Sequence, residues 1–292
     1  MIITRLIGGL GNQMFQYAVG RRLSYVLKLE LKMDISSFDT YKLRKYALGA
    51  FQIQENFATP KDVRALTETK QGIMTRIISG MLGRPDRPPK PAKTYIKENY
   101  FHFDPKIHEL TEGVYLDGYW QSEKYFQDIE GIIRREFTVI HPQRGKNKEL
   151  SDLLTSCESV SVHVRRGDYV NNLDTNKVHG TCTLDYYLGA IEQLAMRVTN
   201  PRLFIFSDDP EWVSKNLDLP MTIVDHNGPD KDFEDLRLMT QCKHHIIANS
   251  TLSWWGAWLC SNSNKVVIAP QKWFNVDSYN TKDLIPDSWI KI

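Results

Sequence analysis

The residues of this chain best suited to chemistry lie in His163-Val164-Arg165-Arg166-Gly167-Asp168-Tyr169, where two guanidinium groups and a carboxylate enter a glycine turn. The run follows Ser159-Val160-Ser161-Val162, which reads as an apolar strand. Side chains alternate along a strand, so Val160, Val162 and Val164 share one face and Ser161, His163 and Arg165 the other. In an open α/β sheet, ligands bind beyond the carboxyl ends of the strands. A planar guanidinium suits the oxygens of a diphosphate, and Arg165, on the polar face, is placed for that grip. Arg166 continues the valine face and needs a partner such as Asp168, which gives it a structural part. A strand-end ion pair that merely fixes the turn is the other reading of the motif.

Gly8-Gly9-Leu10-Gly11-Asn12-Gln13 is a second candidate. It matches the dinucleotide fingerprint only in part, because Met14 stands where the third glycine belongs. Gly9 and Gly11 leave little side chain between backbone and ligand, and Asn12 and Gln13 fall near a helix start. A tight turn with an Asn cap is the alternative. Asn249-Ser250-Thr251 follows an apolar strand and opens an aromatic helix; free amides and hydroxyls there favour an anion, whereas plain capping is the bland reading. Asp208 and Asp209, at another strand end, could accept from a ribose or base, or cap the helix begun by Pro210. Trp254, Trp255 and Trp258 could form a sugar-stacking platform, but core is the favoured reading, since 254/258 and 255/259 are i,i+4 pairs. Asp230-Lys231-Asp232 looks like a DxD metal pattern, but it precedes a helix in which Asp232 and Asp235 suit capping. The metal reading is rejected.

These motifs need elements to hold them. Strand, glycine loop and helix open the chain at residues 2–7, 8–13 and 14–26, with further strands at 29–34 and 113–117 and a helix starting near Ser122. From about Glu149 the pattern alternates: strands at 160–164, 202–206, 221–224, 245–248 and 265–269, and helices around 185–197, 210–216, 233–242 and 252–260. Such alternation means a parallel sheet with helices on both faces. Residues 70–93 differ: an apolar stripe (Ile73, Met74, Ile77, Ile78, Met81, Leu82) runs into Arg84-Pro85-Asp86-Arg87-Pro88-Pro89-Lys90-Pro91. That segment reads as a helix and basic loop, either solvated beside a core-packed helix or docked on an anionic membrane.

At 292 residues the chain suits two domains, divided here as 1–148 and 149–292. Hydrophobic content of 41% and a net charge of +2 are ordinary, and too mild for a nucleic-acid partner. No signal peptide or membrane-spanning run is read. Four cysteines without CxxC spacing suggest free thiols in a reducing cytoplasm.

Gly8 to Tyr17, His163 to Tyr169 and Asn249 to Trp258, together with Gly118-Tyr119-Trp120-Gln121-Ser122-Glu123-Lys124-Tyr125-Phe126, resemble the bacterial α-1,2-fucosyltransferase family, glycosyltransferase family 11. The resemblance extends over nearly the whole chain, residues 70–93 excepted. It implies a GT-B fold of two Rossmann-like α/β domains facing across a cleft, with the donor GDP-fucose on the second and a β-galactoside acceptor on the first. It implies that Arg165 contacts the diphosphate and is needed for catalysis, with Arg166 beside it. His163 and Asp235 would lie near guanine, and Ser250 and Thr251, after Asn249, would hold phosphate. Asn12 would line the cleft. Asp208 and Asp209 match the group's acid pair, and Leu252 departs from the phenylalanine common in relatives.

The expected reaction is inverting and needs no metal or other cofactor. Arg165 and the helix start at Ser250 would stabilise the GDP leaving group. Asp168, Asp117 and Asp34, in that order, are candidates for a general base. Gln13, Tyr119, Trp120 and Gln121 are expected to meet the acceptor, with Trp120 as core the alternative. The setting would be cytoplasmic surface-glycan synthesis, such as O-antigen or capsule, peripheral to the inner membrane. A fucosyltransferase of other acceptor or linkage, an NAD-linked oxidoreductase and a non-catalytic sugar binder stay open. Nothing in the sequence speaks to oligomeric state.

Overall fold

The structure, a computed structural model, describes residues 1–41, 43–69, 92–167, 170 and 173–292. The chain divides into two compact units, Met1–Phe137 and Thr138–Ile292. This division falls earlier than the expected 148/149, which would cut the helix Gly145–Ser156. That helix belongs wholly to the second unit, where its Leu154 packs with Leu238 and Met239.

The first unit is built on β1 (Ile2–Arg5), α1 (Leu10–Leu27), β2 (Leu31–Asp34), α2 (Pro60–Thr67), β3 (Tyr95–Lys97), β4 (Tyr115–Asp117) and α3 (Glu130–Glu136). Its strands form a parallel sheet in the order β2-β1-β4-β3. The chain winds to one side of β1 through β2 and to the other through β4, so the carboxyl ends of β1 and β4 flank the switch point of this sheet. α1 begins at Leu10, a full turn before the expected residue 14, with Gly9 as N-cap and no side-chain cap. Asn12 and Gln13 therefore stand in its first turn. Gly8 has φ +86, and a Cβ there would lie 2.6 Å from the Asn12 amide nitrogen, so glycine is required. The helix expected from Ser122 is instead two short 3₁₀ turns, Glu123–Tyr125 and Gln127–Ile129, before α3.

The second unit contains α4 (Gly145–Ser156), β5 (Ser159–Val164), α5 (Leu173–His179), α6 (Leu184–Ala195), β6 (Arg202–Ser207), α7 (Pro210–Asn216), β7 (Met221–Val224), α8 (Asp232–Gln241), β8 (His244–Ile246), α9 (Thr251–Leu259), β9 (Val267–Ala269) and β10 (Ile290–Lys291). The sheet order is β10-β9-β8-β5-β6-β7, all parallel. This is a doubly wound sheet with its switch point between β5 and β8. The period of two decides the packing: Val160, Val162, Val164, Leu203 and Ile205 meet Tyr187, Ala190 and Leu194 of α6. Phe204 and Phe206, on the opposite face, meet Leu154, Leu238 and Met239. Each large apolar side chain so buried stabilises the fold by roughly 1.5–3 kcal/mol. Trp254, Trp255 and Trp258 are buried in core, as the i,i+4 reading requires.

Candidate active site

In the second unit the register sets the chemistry. Val164 pairs with Ser207, so the next residues on each strand, Arg165 and Asp208, come out side by side. Arg165 Nη1 lies 3.0 Å from Asp208 Oδ2, and the Arg166 backbone N–H donates to Asp208 Oδ1 at 2.8 Å. Gly167 is packed against the same carboxylate; a Cβ there would lie 2.6 Å from Asp208 Oδ2. Arg166 pairs with Asp209 at 3.2 Å and lies 4.2 Å over the Trp212 ring. Asp209 also caps α7 by accepting from the Trp212 N–H at 3.1 Å. The capping reading of the acid pair is realised by Asp209 alone, and both acids hold arginines, a use the sequence reading did not foresee. The partners of Arg166 are Asp209 and an aromatic face. Asp168 lies outside the described residues.

His163 is only 5% exposed, and its Nδ1 makes no hydrogen bond within the protein. Burial drives its pKa well down, and Arg165 pushes the same way against Asp208, so the ring is neutral at pH 7. Across the switch point, Ser250 is the N-cap of α9 and makes no side-chain cap bond. The first-turn N–H groups of a helix lack intrahelical acceptors, so the start of α9 can receive an anion. Asn249 departs from expectation. Its buried amide donates to the carbonyls of His179, Gly180 and Trp273 at 2.9, 3.3 and 3.2 Å, so it ties loops together and has no donor left for a ligand.

At the far edge of this sheet, Asp235 accepts from Asn227 Nδ2 at 2.8 Å. Asn227 in turn bonds Asn147, which meets His226 at 2.6 Å. Burial, opposed by Asn227 and helped by Asp232 and Glu234, pushes the Asp235 carboxyl up to about 6. Lys231, rather than Asp232, is the N-cap of α8, and it makes no side-chain cap bond.

The switch point of the first unit is held by neutral amides and by carboxylates already paired. Gln13 is buried; its Nε2 donates to Gly8 O at 2.9 Å and Lys45 O at 2.8 Å, and its Oε1 accepts from Ala47 N–H at 2.9 Å. It therefore fastens the glycine loop to residues 45–47 and does not face an acceptor. Gly11 is buried inside the first turn of α1, leaving Gly9 as the glycine of the loop with side-chain space beside it, bounded by Arg44 at 3.7 Å. Trp120 is 1% exposed and packs edge-on against Tyr125 at 5.6 Å, so it is core and offers no ring face to a sugar. Tyr119 is 40% exposed. Gln121 is 6% exposed and donates to Asn12 Oδ1 at 3.0 Å.

Asp117 pairs with Arg5 at 2.9 Å and accepts from the Tyr95 hydroxyl. Asp34 is buried and holds the Tyr115 hydroxyl at 2.6 Å and the Ser36 N–H at 3.0 Å, which removes it as a general base. Several residues here escaped the sequence reading. Arg5 ends an apolar strand just before the glycines, and Trp212 stands three residues after Asp209; both spacings were visible. Glu98, whose carboxylate binds two backbone N–H groups, left no such mark.

Among the described residues no helix is long and apolar enough to cross a membrane. The basic segment read as a membrane-docking candidate lies mostly outside the described residues, of which only 92 and 93 belong to it.

The Escherichia coli protein named alpha-1,2-colitosyltransferase is 36% identical over 300 aligned residues, covering 100% of this chain and 99% of that protein. An O-antigen biosynthesis glycosyltransferase of Escherichia coli, WbnK, is 32% identical over 98% of this chain and 99% of its own. Among solved structures, NodZ alpha-1,6-fucosyltransferase co-crystallized with GDP aligns with 87% of this chain and 90% of its own at 16% identity and a TM-score of 0.49. The family model described as glycosyl transferase family 11 matches residues 88–292, a stretch that holds the arginine turn, the acid pair and the start of α9. That match, with full-length relatives that transfer sugars, sets aside the oxidoreductase and the passive binder: the chain belongs to glycosyl transferase family 11 and is a glycosyltransferase.

Proposed function

We propose that this enzyme transfers L-fucose from GDP-fucose to the 2-hydroxyl of a terminal β-galactoside, with inversion, forming an α-1,2 linkage in a surface glycan or oligosaccharide. The observation that carries the reading is the juxtaposition at one switch point of Arg165, at the end of β5, and the start of α9 beyond β8. As the bond to the anomeric carbon lengthens, negative charge gathers on the departing diphosphate and the sugar gains oxocarbenium character. A guanidinium and a helix N-terminus fixed in advance stabilise that charge without reorganising. The neutral His163 ring and the Asp235 carboxyl stand along the same strand ends, where a guanine base would be read. The acceptor hydroxyl attacks from the opposite face, which inverts the β-linked donor to an α-linked product.

The first unit would select the acceptor through Tyr119 and the Asn12–Gln121 pair. Both described candidates for a general base are engaged within the protein, Asp34 by the Tyr115 hydroxyl and the Ser36 N–H and Asp117 by Arg5 and the Tyr95 hydroxyl, so neither is assigned the role. The setting proposed is the cytoplasm, on a glycan intermediate of O-antigen or capsule type.

The 36% identity to the colitosyltransferase supports a second reading, in which the donor is GDP-colitose. That sugar is L-fucose without its 3-hydroxyl, so the two donors differ by one polar group. Each donor offered separately and then in competition, with a β-galactoside acceptor, separates the readings through GDP release from each alone and through product mass, since the two products differ by one oxygen atom. Release of GDP from neither donor would sink both.

A further inference from the structure

Glu98 follows β3 and has no part in the reaction outlined above. Its Oε2 accepts from the Tyr119 backbone N–H at 2.7 Å, and its Oε1 from the Trp120 N–H at 3.0 Å. The turn that it grips is an improbable one. Trp120 lies at φ 57, in the left-handed region that large side chains avoid. Gly118 runs so close that a Cβ there would come 2.4 Å from the Cβ of Glu98. Backbone of this kind persists only where its surroundings over-determine it. Two charge-assisted bonds on successive N–H groups do so here, and Gln16 Nε2 holds the Gly118 carbonyl at 3.1 Å. The far end of the turn is Gln121, whose Nε2 reaches Asn12 Oδ1 and whose buried Oε1 has no partner in the protein.

We propose that Glu98 is a positioning residue for sugar transfer: by clamping residues 118–121 it sets Gln121 against Asn12, and Tyr119 with them, in the arrangement the acceptor meets. The proposal rests on the reading of the first unit as the acceptor-selecting one. Glu98 is not itself placed as a base, because both its oxygens are taken by backbone N–H groups. Two influences raise its carboxyl to about 7: burial, which outweighs those two bonds, and the charge of Asp117. Asp117 comes from β4 and is itself held by Arg5 of β1 and the Tyr95 hydroxyl of β3. The ionised carboxylate accepts from both N–H groups, whereas the protonated acid keeps one good acceptor. The clamp therefore tightens as pH rises through about 7.

Glu98→Gln has the shape of the protonated acid at every pH. Hydrogen exchange at the Tyr119 and Trp120 amides, corrected for intrinsic rates, should speed up in the variant, and in the wild type on going from about pH 8 to 6. The acceptor KM should rise about tenfold, the loss expected for one hydrogen bond to a charged group. GDP release from GDP-fucose without acceptor should not change, and the wild type's acid limb near pH 7 in acceptor kcat/KM should vanish. The wild-type exchange measurement needs no variant, so poor folding of Glu98→Gln does not rescue the idea. Amide exchange indifferent to both pH and substitution would overturn it, as would looser amides with an unmoved acceptor KM. Failure of the proposed function shows differently, as absence of transfer by the wild type.

Discussion

The two sheets solve one problem in opposite ways. Each is parallel, each has a switch point, and each delivers polar side chains to the strand ends beside it. In the second unit those side chains are ions: Arg165 with Asp208 and Arg166 with Asp209, beside the start of α9. In the first they are chiefly amides and acids spent on the protein's own backbone and side chains: Gln13 on the glycine loop, Gln16 and Glu98 on the 118–121 turn, Asp34 on a phenol and an N–H, with one ion pair, Arg5 and Asp117. Ion pairs at a ligand end can exchange one anion for another. Amides locked on backbone hold a shape. Under the proposed function, the contrast is between a unit that meets changing charge and a unit that presents a fixed surface.

The sharpest way to break that contrast is to remove one cation from each unit. Arg165→Ala should lower kcat by at least ~10²–10³, the loss expected for a principal electrostatic stabiliser. Arg5→Ala should leave acceptor-independent GDP release near wild type, because Arg5 pairs with Asp117 inside the first sheet. Equal kcat losses in properly folded variants would erase the distinction. Gln121→Ala tests the fixed surface: acceptor KM should rise about tenfold with GDP affinity unchanged, as for one lost hydrogen bond. Weakened GDP binding with unmoved acceptor kinetics would mean that the units have been assigned in reverse.

Smaller effects sharpen the picture. Arg166→Ala should cost about 1–2 kcal/mol of stability, a modest ion pair plus stacking on Trp212, read as a lower urea midpoint. Trp212→Ala in the Arg166→Ala background should then add less than it does alone. Asp235 gives a pH signature. Its carboxyl is raised from 3.8 to about 6 in the folded chain, so the stability tied to its protonated form is complete below the unfolded value. That stability is lost as pH rises through about 6, and Asp235→Asn should flatten urea midpoints across this window. The smallest expected change is none. GDP release and transfer should survive exhaustive EDTA, since guanidinium and helix start supply the positive charge; loss with rescue by Mn²⁺ would reassign that role to a metal.

Much of the second unit was readable in advance. Met221–Val224 and Pro210–Asn216 fall where the alternation of apolar runs and helix signals places them, and the other expected strands and helices differ at their ends, whereas α4, α5 and β10 were not foreseen. These segments are long or sharply punctuated, so local pattern suffices. The first unit was harder to read. Tyr95–Lys97 has three residues and no period to detect, and the 3₁₀ turns after Ser122 share their apolar spacing with a helix. The early start of α1 was hidden because Gly9 caps it without a side chain.

What the sequence determined by itself is which residue types stand at the strand ends: an apolar run must stop where Arg165, Asp208, Asn249 and Asp117 begin, since none of these belongs in a dry core without a partner. Which of them bind outward and which bind one another was decided only by tertiary structure. Arg165 meets Asp208 through a register 42–43 residues apart in the chain, as the bond from Arg166 N–H to the same carboxylate shows. Asn249 turns inward to three carbonyls, Trp120 closes into core, and Glu98 finds two N–H groups that exist as a pair only once β3 and β4 lie side by side. A backbone N–H is carried by every residue but proline, so no residue type announces such a partner. Only the folded chain brings the donors to the carboxylate.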